Sequence, residues 1–315
     1  MTGRAAGSGW RLAVHGGAGL IARGDLNPAQ EAAYRAGMTR SAEAGAAVLQ
    51  AGGPALDAVE AAVRVLEDDP LFNAGRGAVF SADGRHELDA AIMDGRDLRA
   101  GSVAGVTSTS HPVSLARAVM ERSDHVMLAG AGADAFARAQ GLAAGDGGPD
   151  LFTERRWRAL VRALEAQGAP VPPRPAGAGA PGSELAHDEG KRGTVGAVAR
   201  DRDGHVAAAT STGGMTAKRW GRIGDSPLIG AGTYASDASC AISATGAGEY
   251  FIRLTVARDV AALMEFRGLT LQAAMDQVIR GRLTDMGGDG GVIGVSAAGE
   301  IGWSFNTAGM YRARA

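Results

Sequence analysis

The spacing of apolar residues divides the chain into amphipathic helices and short strands. Apolar positions at helical spacing run through residues 28–52 and begin again at Pro54. The second helix is expected to end at Asp69, because a residue that precedes proline disfavours the α conformation. Further helices are predicted over residues 112–121, 133–140, 152–166, 247–265 and 271–284.

Short apolar runs bounded by turn residues predict strands between these helices. Asp-Gly pairs at residues 83–84, 94–95 and 203–204 separate such runs and indicate antiparallel hairpins. Because the strands come in hairpins and the helices cluster separately, the pattern favours an α+β fold over a doubly wound parallel sheet. The predicted strands cover residues 11–15, 78–81, 87–93, 101–106, 125–128, 195–200, 205–211, 228–232, 240–245, 290–296 and 301–305.

The periodic pattern breaks once, over residues 168–193, where proline, glycine and alanine dominate. This composition predicts a mobile linker with no packed element, and the linker ends at Gly193. Strands resume directly at Thr194. The length of 315 residues allows one large domain or two ordinary ones, and one long connection precedes Thr194.

Composition narrows the functional classes. The 315 residues carry a net charge of −2, so neither a nucleic acid nor an acidic membrane surface is indicated as a partner. Cys240 is the single cysteine, which excludes an internal disulfide and is compatible with a reducing compartment. No apolar run approaches the length of a membrane span, and a cytoplasmic protein is expected.

Gly193–Thr194 is the candidate centre of the chemistry. A threonine hydroxyl is a weak nucleophile that needs a base, and the six histidines show no catalytic or metal spacing. If the chain is cut before Thr194, its new α-amine, with an ordinary pKa of about 7.7–8.0, becomes that base. Gly193 permits the strained peptide that attack by the Thr194 hydroxyl requires. The sequence therefore suggests autocatalytic cleavage.

Other residues could complete such a site. Thr212 lies one hairpin away from Thr194, and the pair Thr245–Gly246 opens a helix, where it could face developing negative charge. Arg222 and Asp225 could grip the carboxylate and amine of an α-amino acid, or form a surface ion pair of little consequence.

Three further features leave alternatives open. The glycine-rich turn of residues 15–19 could cradle a phosphate, although backbone crowded against a neighbouring strand is favoured. The loop of residues 66–77 could bind a hard cation through oxygens or be an ordinary connection. Asp89 lies inside an apolar strand, where a carboxylate needs a partner and can be structural support.

Taken together, these segments resemble a known family. The chain resembles the plant-type L-asparaginases, or isoaspartyl peptidases, of the N-terminal-nucleophile hydrolase superfamily. The matching segments lie in family order along nearly the whole chain, at residues 15–19, 69–75, 87–90, 193–197, 210–215, 221–227, 245–249 and 305–307.

The resemblance implies a four-layer αββα sandwich, with two mainly antiparallel sheets between helix layers. It implies cleavage into an α chain of residues 1–193 and a β chain of residues 194–315, with two such pairs forming a dimer. It implies hydrolysis of L-asparagine and β-aspartyl dipeptides through an acyl-enzyme, with no organic cofactor.

The resemblance also implies residue roles. Thr194 would be the nucleophile and Thr212 its support, Thr245 and Gly246 the oxyanion hole, and Asn73 a neighbour of the nucleophile. Arg222 would hold the substrate α-carboxylate, while Asp225 and the Gly248 carbonyl would hold the α-amine. A sodium ion would be bound by the carbonyls of Leu66, Glu67, Asp69, Phe72, Ala74 and Arg76.

Two departures and three alternatives accompany the resemblance. Lys191 and Arg192 differ from the usual approach to the cut, and the linker is unusually rich in proline and alanine. The alternatives are a glycosylasparaginase-type amidase, a nucleotide-binding module built on the glycine-rich turns, and an uncut, inactive binding protein.

Overall fold

The computed structural model describes residues 9–19, 26–144, 151–175 and 193–315, which form two β-sheets covered by helices. The strands of the larger sheet are β1 (Arg11–Gly19), β2 (Leu88–Asp94), β3 (Ala100–Val106), β4 (Met127–Ala129), β5 (Val195–Arg200), β6 (Val206–Thr212) and β11 (Gly309–Arg314). The smaller sheet consists of β7 (Thr233–Ala235), β8 (Cys240–Gly246), β9 (Gly290–Ser296) and β10 (Ile301–Phe305). The larger sheet has the strand order β11-β1-β5-β6-β2-β3-β4, and the smaller has the order β10-β9-β8-β7. All neighbouring strands are antiparallel except the pair β3 and β4.

The helices lie on the outer faces of the two sheets. Asn27 caps the first helix in a reciprocal arrangement with Gln30, and Pro28 stands at its first turn, where proline is best tolerated. No helix in the described ranges is long and apolar enough to cross a bilayer. The helices are α1 (Pro28–Gln50), α2 (Ala55–Asp68), α3 (Pro112–Arg122), α4 (Gly130–Ala139), α5 (Glu154–Ala166), α6 (Gly248–Leu254), α7 (Val256–Arg267) and α8 (Leu271–Asp276), with a short 3-10 turn at Gly75–Gly77.

Three buried apolar clusters define the layers. The first joins α1, α2 and α3 to the outer face of the larger sheet, and the second joins α7 and α8 to the smaller sheet. The third, which includes Val198, Ala208, Ala241 and Ile293, lies between the two sheets. The predicted α+β sandwich of helix, sheet, sheet and helix is therefore confirmed.

Several elements differ from the prediction. Residues 78–81 form no ladder, because Val79 donates to the Asn73 side chain and Ser81 makes one isolated bridge to Lys218. The predicted strand over residues 228–232 is a pair of turns, and β7 starts only at Thr233. The strand β11 was not predicted.

The two C-terminal helical predictions are also corrected. Thr255 adopts a left-handed conformation, with φ of 47°, and breaks the predicted helix of residues 247–265 into α6 and α7. After α8 the chain continues as a π-helical segment, Gln277–Leu283. No residue type marks a widened turn of this kind, so the apolar spacing predicted an ordinary helix here.

The start of the predicted linker contacts the body of the protein. Residues 168–175 form no helix or strand, as expected, but Arg174 pairs with Glu154 at 2.8 Å and lies over the Phe152 ring. Pro172 lies next to Gly84, where an added Cβ would be 3.1 Å from Pro172 Cγ. These eight residues therefore return along α5, in contrast to the predicted free linker. The remainder of the linker up to residue 192 lies outside the described residues.

Candidate active site

Thr194 lies at the start of β5, in the middle of the larger sheet. Strand β5 runs between β1 and β6, and Val195 is opposite Ser211, which brings Thr194 beside Thr212 at the end of β6. On the other side, a side chain at Gly17 would lie 3.1 Å from the Gly193 Cα. The peptide between Gly193 and Thr194 is thus enclosed by its two neighbouring strands.

Thr212 connects the nucleophile candidate to the preceding carbonyl. The Thr194 hydroxyl donates to the Thr212 hydroxyl over 3.3 Å, and Thr212 Oγ1 donates to the Gly193 carbonyl over 3.3 Å. The Gly214 amide donates to the same Thr212 oxygen at 3.0 Å. Thr212 therefore holds the Thr194 hydroxyl beside the carbonyl that it would attack, as a supporting residue must.

Asn73 supports this arrangement from behind. Its Nδ2 donates to the Gly214 carbonyl at 2.8 Å, and its Oδ1 accepts from the Val79 amide at 2.9 Å. Its own carbonyl accepts from Gly213 at 3.1 Å. These hydrogen bonds place Asn73 next to the loop that contacts Thr212, and its partners there are backbone groups rather than Thr194.

Thr245 lies on the other sheet, at the end of β8, and is not among the residues that line the crevice with Thr194. Its Oγ1 accepts a hydrogen bond from the Ala18 amide at 3.2 Å, which leaves the hydroxyl proton free to donate elsewhere. Gly246 follows it, in a position where a Cβ would lie 2.7 Å from Phe251. Thr194, Thr212 and Gly246 line one small crevice together with Arg222 and Asp225.

The predicted pair Arg222 and Asp225 is corrected in one respect. The Arg222 guanidinium forms a bidentate ion pair with Glu249, at 2.8 and 3.1 Å, and not with Asp225. Glu249 was not predicted, although it ends one of the segments that carry the family resemblance. Gly248 makes room for this group, because a side chain there would lie 2.8 Å from Arg222 Nη2 and 2.9 Å from Asp225 Oδ1.

Asp225 is a buried carboxylate with an incomplete set of partners. Burial raises its pKa to about 7, an effect that its own backbone amide and the nearby Arg222 charge only partly oppose. Its Oδ2 makes no hydrogen bond to any residue that the structure describes. A cationic group bound in the crevice would balance the negative charge of the Asp225 carboxylate. Asp225 is thus suited to bind an ammonium group.

Asp89 has a related environment one strand away. It pairs with Thr212 across the β2 and β6 ladder, is fully buried, and accepts a hydrogen bond from Gly105 at 2.8 Å. Burial raises its pKa, while the charge of buried Lys218 opposes this rise. The backbone contact agrees with the expected structural role of Asp89.

The loop of residues 66–77 folds tightly around two glycines. A Cβ at Gly75 would collide with the carbonyls of Glu67 and Ser110, and a Cβ at Gly77 would collide with those of Phe72 and Pro70. Glu67 is fully buried, its Oε1 accepts from Ser211 at 2.6 Å, and burial raises its pKa to about 8. The described residues contain no cluster of three or more metal-binding side chains, so any cation here would rely on carbonyls.

The two glycine-rich turns are accounted for by packing. A side chain at Gly16 would collide with the Phe72 ring, and Gly17 adjoins Gly193, so the first turn is crowded as expected. In the second glycine-rich turn, residues 129–134, the Asp134 carboxylate accepts from the Thr107 and Ser108 amides, both at 3.0 Å. These contacts disfavour a nucleotide-binding module.

Trp220 is a feature at the edge of the site that the sequence did not indicate. The Arg222 amide donates to the Arg219 carbonyl at 3.0 Å, which makes Trp220 and Gly221 the central residues of a tight turn. Both have positive φ, 59° and 68°, and the Trp220 side chain is 96% exposed. A bulky aromatic residue is unusual in this conformation.

Comparisons with known proteins agree with this architecture. The chain is 52% identical over 311 residues to the isoaspartyl peptidase of Salmonella typhimurium, covering 96% of this chain and 94% of the relative. It is 50% identical to the isoaspartyl peptidase of Escherichia coli, over 96% of this chain and 91% of that protein. It is 43% identical to the plant-type L-asparaginase of Pyrococcus abyssi, over 95% of this chain and 94% of that protein. A family model described as asparaginase matches residues 8–315, and the chain therefore belongs to the asparaginase family of N-terminal-nucleophile hydrolases.

Proposed function

We propose that this protein hydrolyses the side-chain amide of L-asparagine and the β-aspartyl bond of isoaspartyl dipeptides, with Thr194 as the nucleophile. The observation that carries the proposal is the position of Thr212, whose hydroxyl contacts both the Thr194 hydroxyl and the Gly193 carbonyl. The names of the relatives favour these substrates over those of a glycosylasparaginase.

The first step is cleavage of the chain itself. Thr194 Oγ1 attacks the Gly193 carbonyl carbon while Thr212 takes its proton and passes its own hydroxyl proton to the carbonyl oxygen. As the tetrahedral intermediate collapses, this proton moves to the peptide nitrogen, the C–N bond breaks, and the acyl group remains on Thr194 Oγ1. Water then hydrolyses the ester, which produces a carboxylate at Gly193 and a free amine at Thr194. The crowding of Gly17 against Gly193 supports this step, because it holds the peptide beside the attacking hydroxyl.

The free amine then serves as the base for turnover. It accepts the hydroxyl proton as Thr194 Oγ1 attacks the substrate carbonyl, and this proton leaves with ammonia or with an amino acid. The Thr245 hydroxyl and the Gly246 amide stabilise the oxyanion. Water attacks the resulting ester, and L-aspartate is released with Thr194 regenerated.

Substrate recognition follows from the charges around the crevice. Arg222 binds the α-carboxylate, for which its planar guanidinium is well shaped, although the carboxylate competes with Glu249 for it. Asp225 and the Gly248 carbonyl bind the α-ammonium. Because Asp225 is buried with one unpartnered oxygen, a bound ammonium restores its charge balance.

Replacement of Thr194 by alanine tests both steps. We expect this variant to remain a single chain of 31.8 kDa by intact mass and to release no ammonia from asparagine, whereas the unaltered protein is cut at Gly193 and active. A Thr194→Ala protein that is cut or active would contradict the mechanism. An unaltered protein that stays uncut would favour the alternative of an inactive binding protein.

A sodium ion is proposed for the loop of residues 66–77. The carbonyls converging on Gly75 and Gly77 are oxygen ligands of the type that hard cations prefer, and an ion there would stabilise the loop that carries Asn73. We expect NaCl to raise the melting temperature more than choline chloride at equal ionic strength. In Gly77→Ala, where the added Cβ meets the Phe72 carbonyl, this difference should be lost.

Assembly and location complete the proposal. Two cleaved αβ units would form a dimer, and the cytoplasm would be the compartment. The buried free thiol of Cys240 is compatible with reducing conditions. Light scattering of the purified, cleaved protein measures the assembly directly, and a mass of one αβ unit would contradict it.

A further inference from the structure

A second row of residues lies directly beneath the proposed catalytic row. Strand pairing places His15 opposite Gly196, and Gly196 opposite Thr210. Each of these residues is two positions from a residue beside the proposed cleavage site: His15 from Gly17, Gly196 from Thr194, and Thr210 from Thr212. Because alternate residues of a strand point to the same face, the row of His15, Gly196 and Thr210 faces the smaller sheet, as the catalytic row does.

Ser243 of the opposite sheet closes this row. It precedes Thr245 by two positions on β8, and its Oγ lies 2.9 Å from His15 Nε2 and 2.7 Å from Thr210 Oγ1. It also lies 3.2 Å from the Ala209 carbonyl. One hydroxyl thus joins the strands β1, β6 and β8. We call the set of His15, Gly196, Thr210 and Ser243 the polar layer.

Gly196 is what allows the polar layer to form. A Cβ at Gly196 would lie 2.6 Å from His15 Nε2 and would collide with Ser243 Oγ. The imidazole and the hydroxyl therefore meet above the nucleophile strand, in the space that a side chain would otherwise fill. The two sheets approach each other at this point through polar groups.

The polar layer extends to the proposed substrate clamp. The Thr233 hydroxyl lies 2.7 Å from Thr210 Oγ1 and 3.1 Å from the Ser226 carbonyl. Ser226 follows Asp225 directly. A continuous line of buried hydroxyls thus connects His15, beside the nucleophile strand, with the loop that carries Asp225.

The polar layer lies in an otherwise apolar interior. His15, Thr210, Thr233 and Ser243 are completely buried between the sheets, beside residues such as Val198 and Ile293. In such surroundings an unpaired polar atom is costly, so the hydroxyls and His15 Nε2 favour the relative position of the sheets in which they meet. His15 Nδ1 makes no hydrogen bond to a described residue. Burial also lowers the pKa of His15 to about 3, with the Thr194 backbone opposing this effect, so the imidazole stays neutral at working pH.

We propose that Ser243 and His15 are positioning residues that hold β8 against β1 and β5, so that the end of β8, Thr245 and Gly246, keeps its place beside the crevice that Thr194 lines. Even a small displacement of an oxyanion donor, much less than the spacing of neighbouring residues in a strand, lowers the rate of the chemical step. The role in catalysis rests on the function proposed above, while the structural connection does not.

Ser243→Ala, compared with Ser41→Ala, tests the proposal. Ser41 is an equally buried serine whose hydroxyl donates to the Ala62 carbonyl at 2.8 Å, between α1 and α2 and away from the site. Both variants should lose a few degrees of melting temperature. Ser243→Ala should also lower kcat for asparagine about tenfold, with a smaller change in KM, whereas Ser41→Ala should not. Equal kcat values in the two variants would overturn the proposal.

A pair of His15 variants tests the hydrogen bond itself. Glutamine can place a polar atom near the position of Nε2 and reach Ser243, whereas leucine fills a similar volume without one. We expect His15→Gln to retain most of the kcat that His15→Leu loses. If both variants lose kcat equally, or neither does, the His15 contact has no positioning role.

Hydrogen exchange separates this proposal from the proposed function. The amides of β5 and β8 should exchange faster in Ser243→Ala than in Ser41→Ala, whether or not asparagine is a substrate. If the unaltered protein hydrolyses no asparagine, the proposed function fails, and the exchange rates alone decide whether the polar layer joins the sheets. Unchanged exchange in both strands would overturn the connection.

Discussion

Asp225→Asn should stabilise the fold while it abolishes tight binding of substrate. Burial raises the carboxyl pKa from 3.8 to about 7, so the folded chain holds this proton more tightly than the unfolded chain does. Ionisation of Asp225 therefore lowers the free energy of unfolding. This loss of stability grows from about pH 4 to about pH 7 and is constant at higher pH. The interval between 3.8 and about 7 corresponds to about 4 kcal/mol, as an upper limit for a fully buried group.

The measurement uses the uncut chain, so that unfolding involves one polypeptide. Thr194→Ala and Thr194→Ala/Asp225→Asn are compared in denaturant between pH 4 and 8. We expect no stability difference near pH 4 and a gain of up to about 4 kcal/mol for the double variant at pH 8. Comparison at each pH cancels other titrating groups, such as Glu67, whose pKa is raised to about 8.

A ligand experiment completes the test. L-Aspartate should raise the melting temperature of the Thr194→Ala protein at pH 8, because its ammonium supplies the charge that Asp225 lacks. It should not raise that of the double variant. If Asp225→Asn destabilises the protein, or changes its stability equally at every pH, Asp225 is not a buried carboxylate whose ionisation destabilises the fold.

Two further substitutions follow from the geometry beside the site. Gly248→Ala should raise KM for asparagine at least tenfold, because its methyl group would lie within 2.9 Å of Arg222 Nη2 and Asp225 Oδ1. Gly132→Ala, in open space within α4, is the control and should leave KM unchanged. Trp220→Asn should stabilise the chain by about 1 kcal/mol, measured in denaturant, because asparagine followed by glycine suits a turn with two positive φ values. No gain in stability would show that the exposed Trp220 ring has stabilising contacts of its own.

Local signals explain which parts of the fold the sequence could predict. The hairpin of β5 and β6 was predicted correctly because its turn, Asp203–Gly204, and its apolar runs are adjacent in the chain. The strand β11 was missed, because it pairs with β1 from the other end of the chain and has a weak alternation of apolar residues. Thr255 interrupts the predicted helix although neither proline nor glycine stands at this position.

The site shows the same division between local and distant information. The family resemblance named Arg222 and Asp225 by motif, but the pairing of Arg222 with Glu249 depends on how a loop packs against α6. No residue near His15 in the sequence indicated a role for it, because its partner Ser243 is 228 residues away. Strand alternation can predict that residues two apart share a face. It cannot predict which strands of two sheets will be opposed.

The high glycine content acquires a physical meaning from these contacts. The 49 glycines include several around the site whose missing side chains allow polar groups to approach. Gly17 adjoins Gly193, Gly196 lies under the contact of His15 with Ser243, and a Cβ at Gly213 would lie 2.7 Å from Asn73 Oδ1. A site built from hydroxyls and backbone amides has short reach, so its strands and loops must lie close together. Glycine makes this possible, and the high glycine content therefore reflects in part how Thr194 is surrounded.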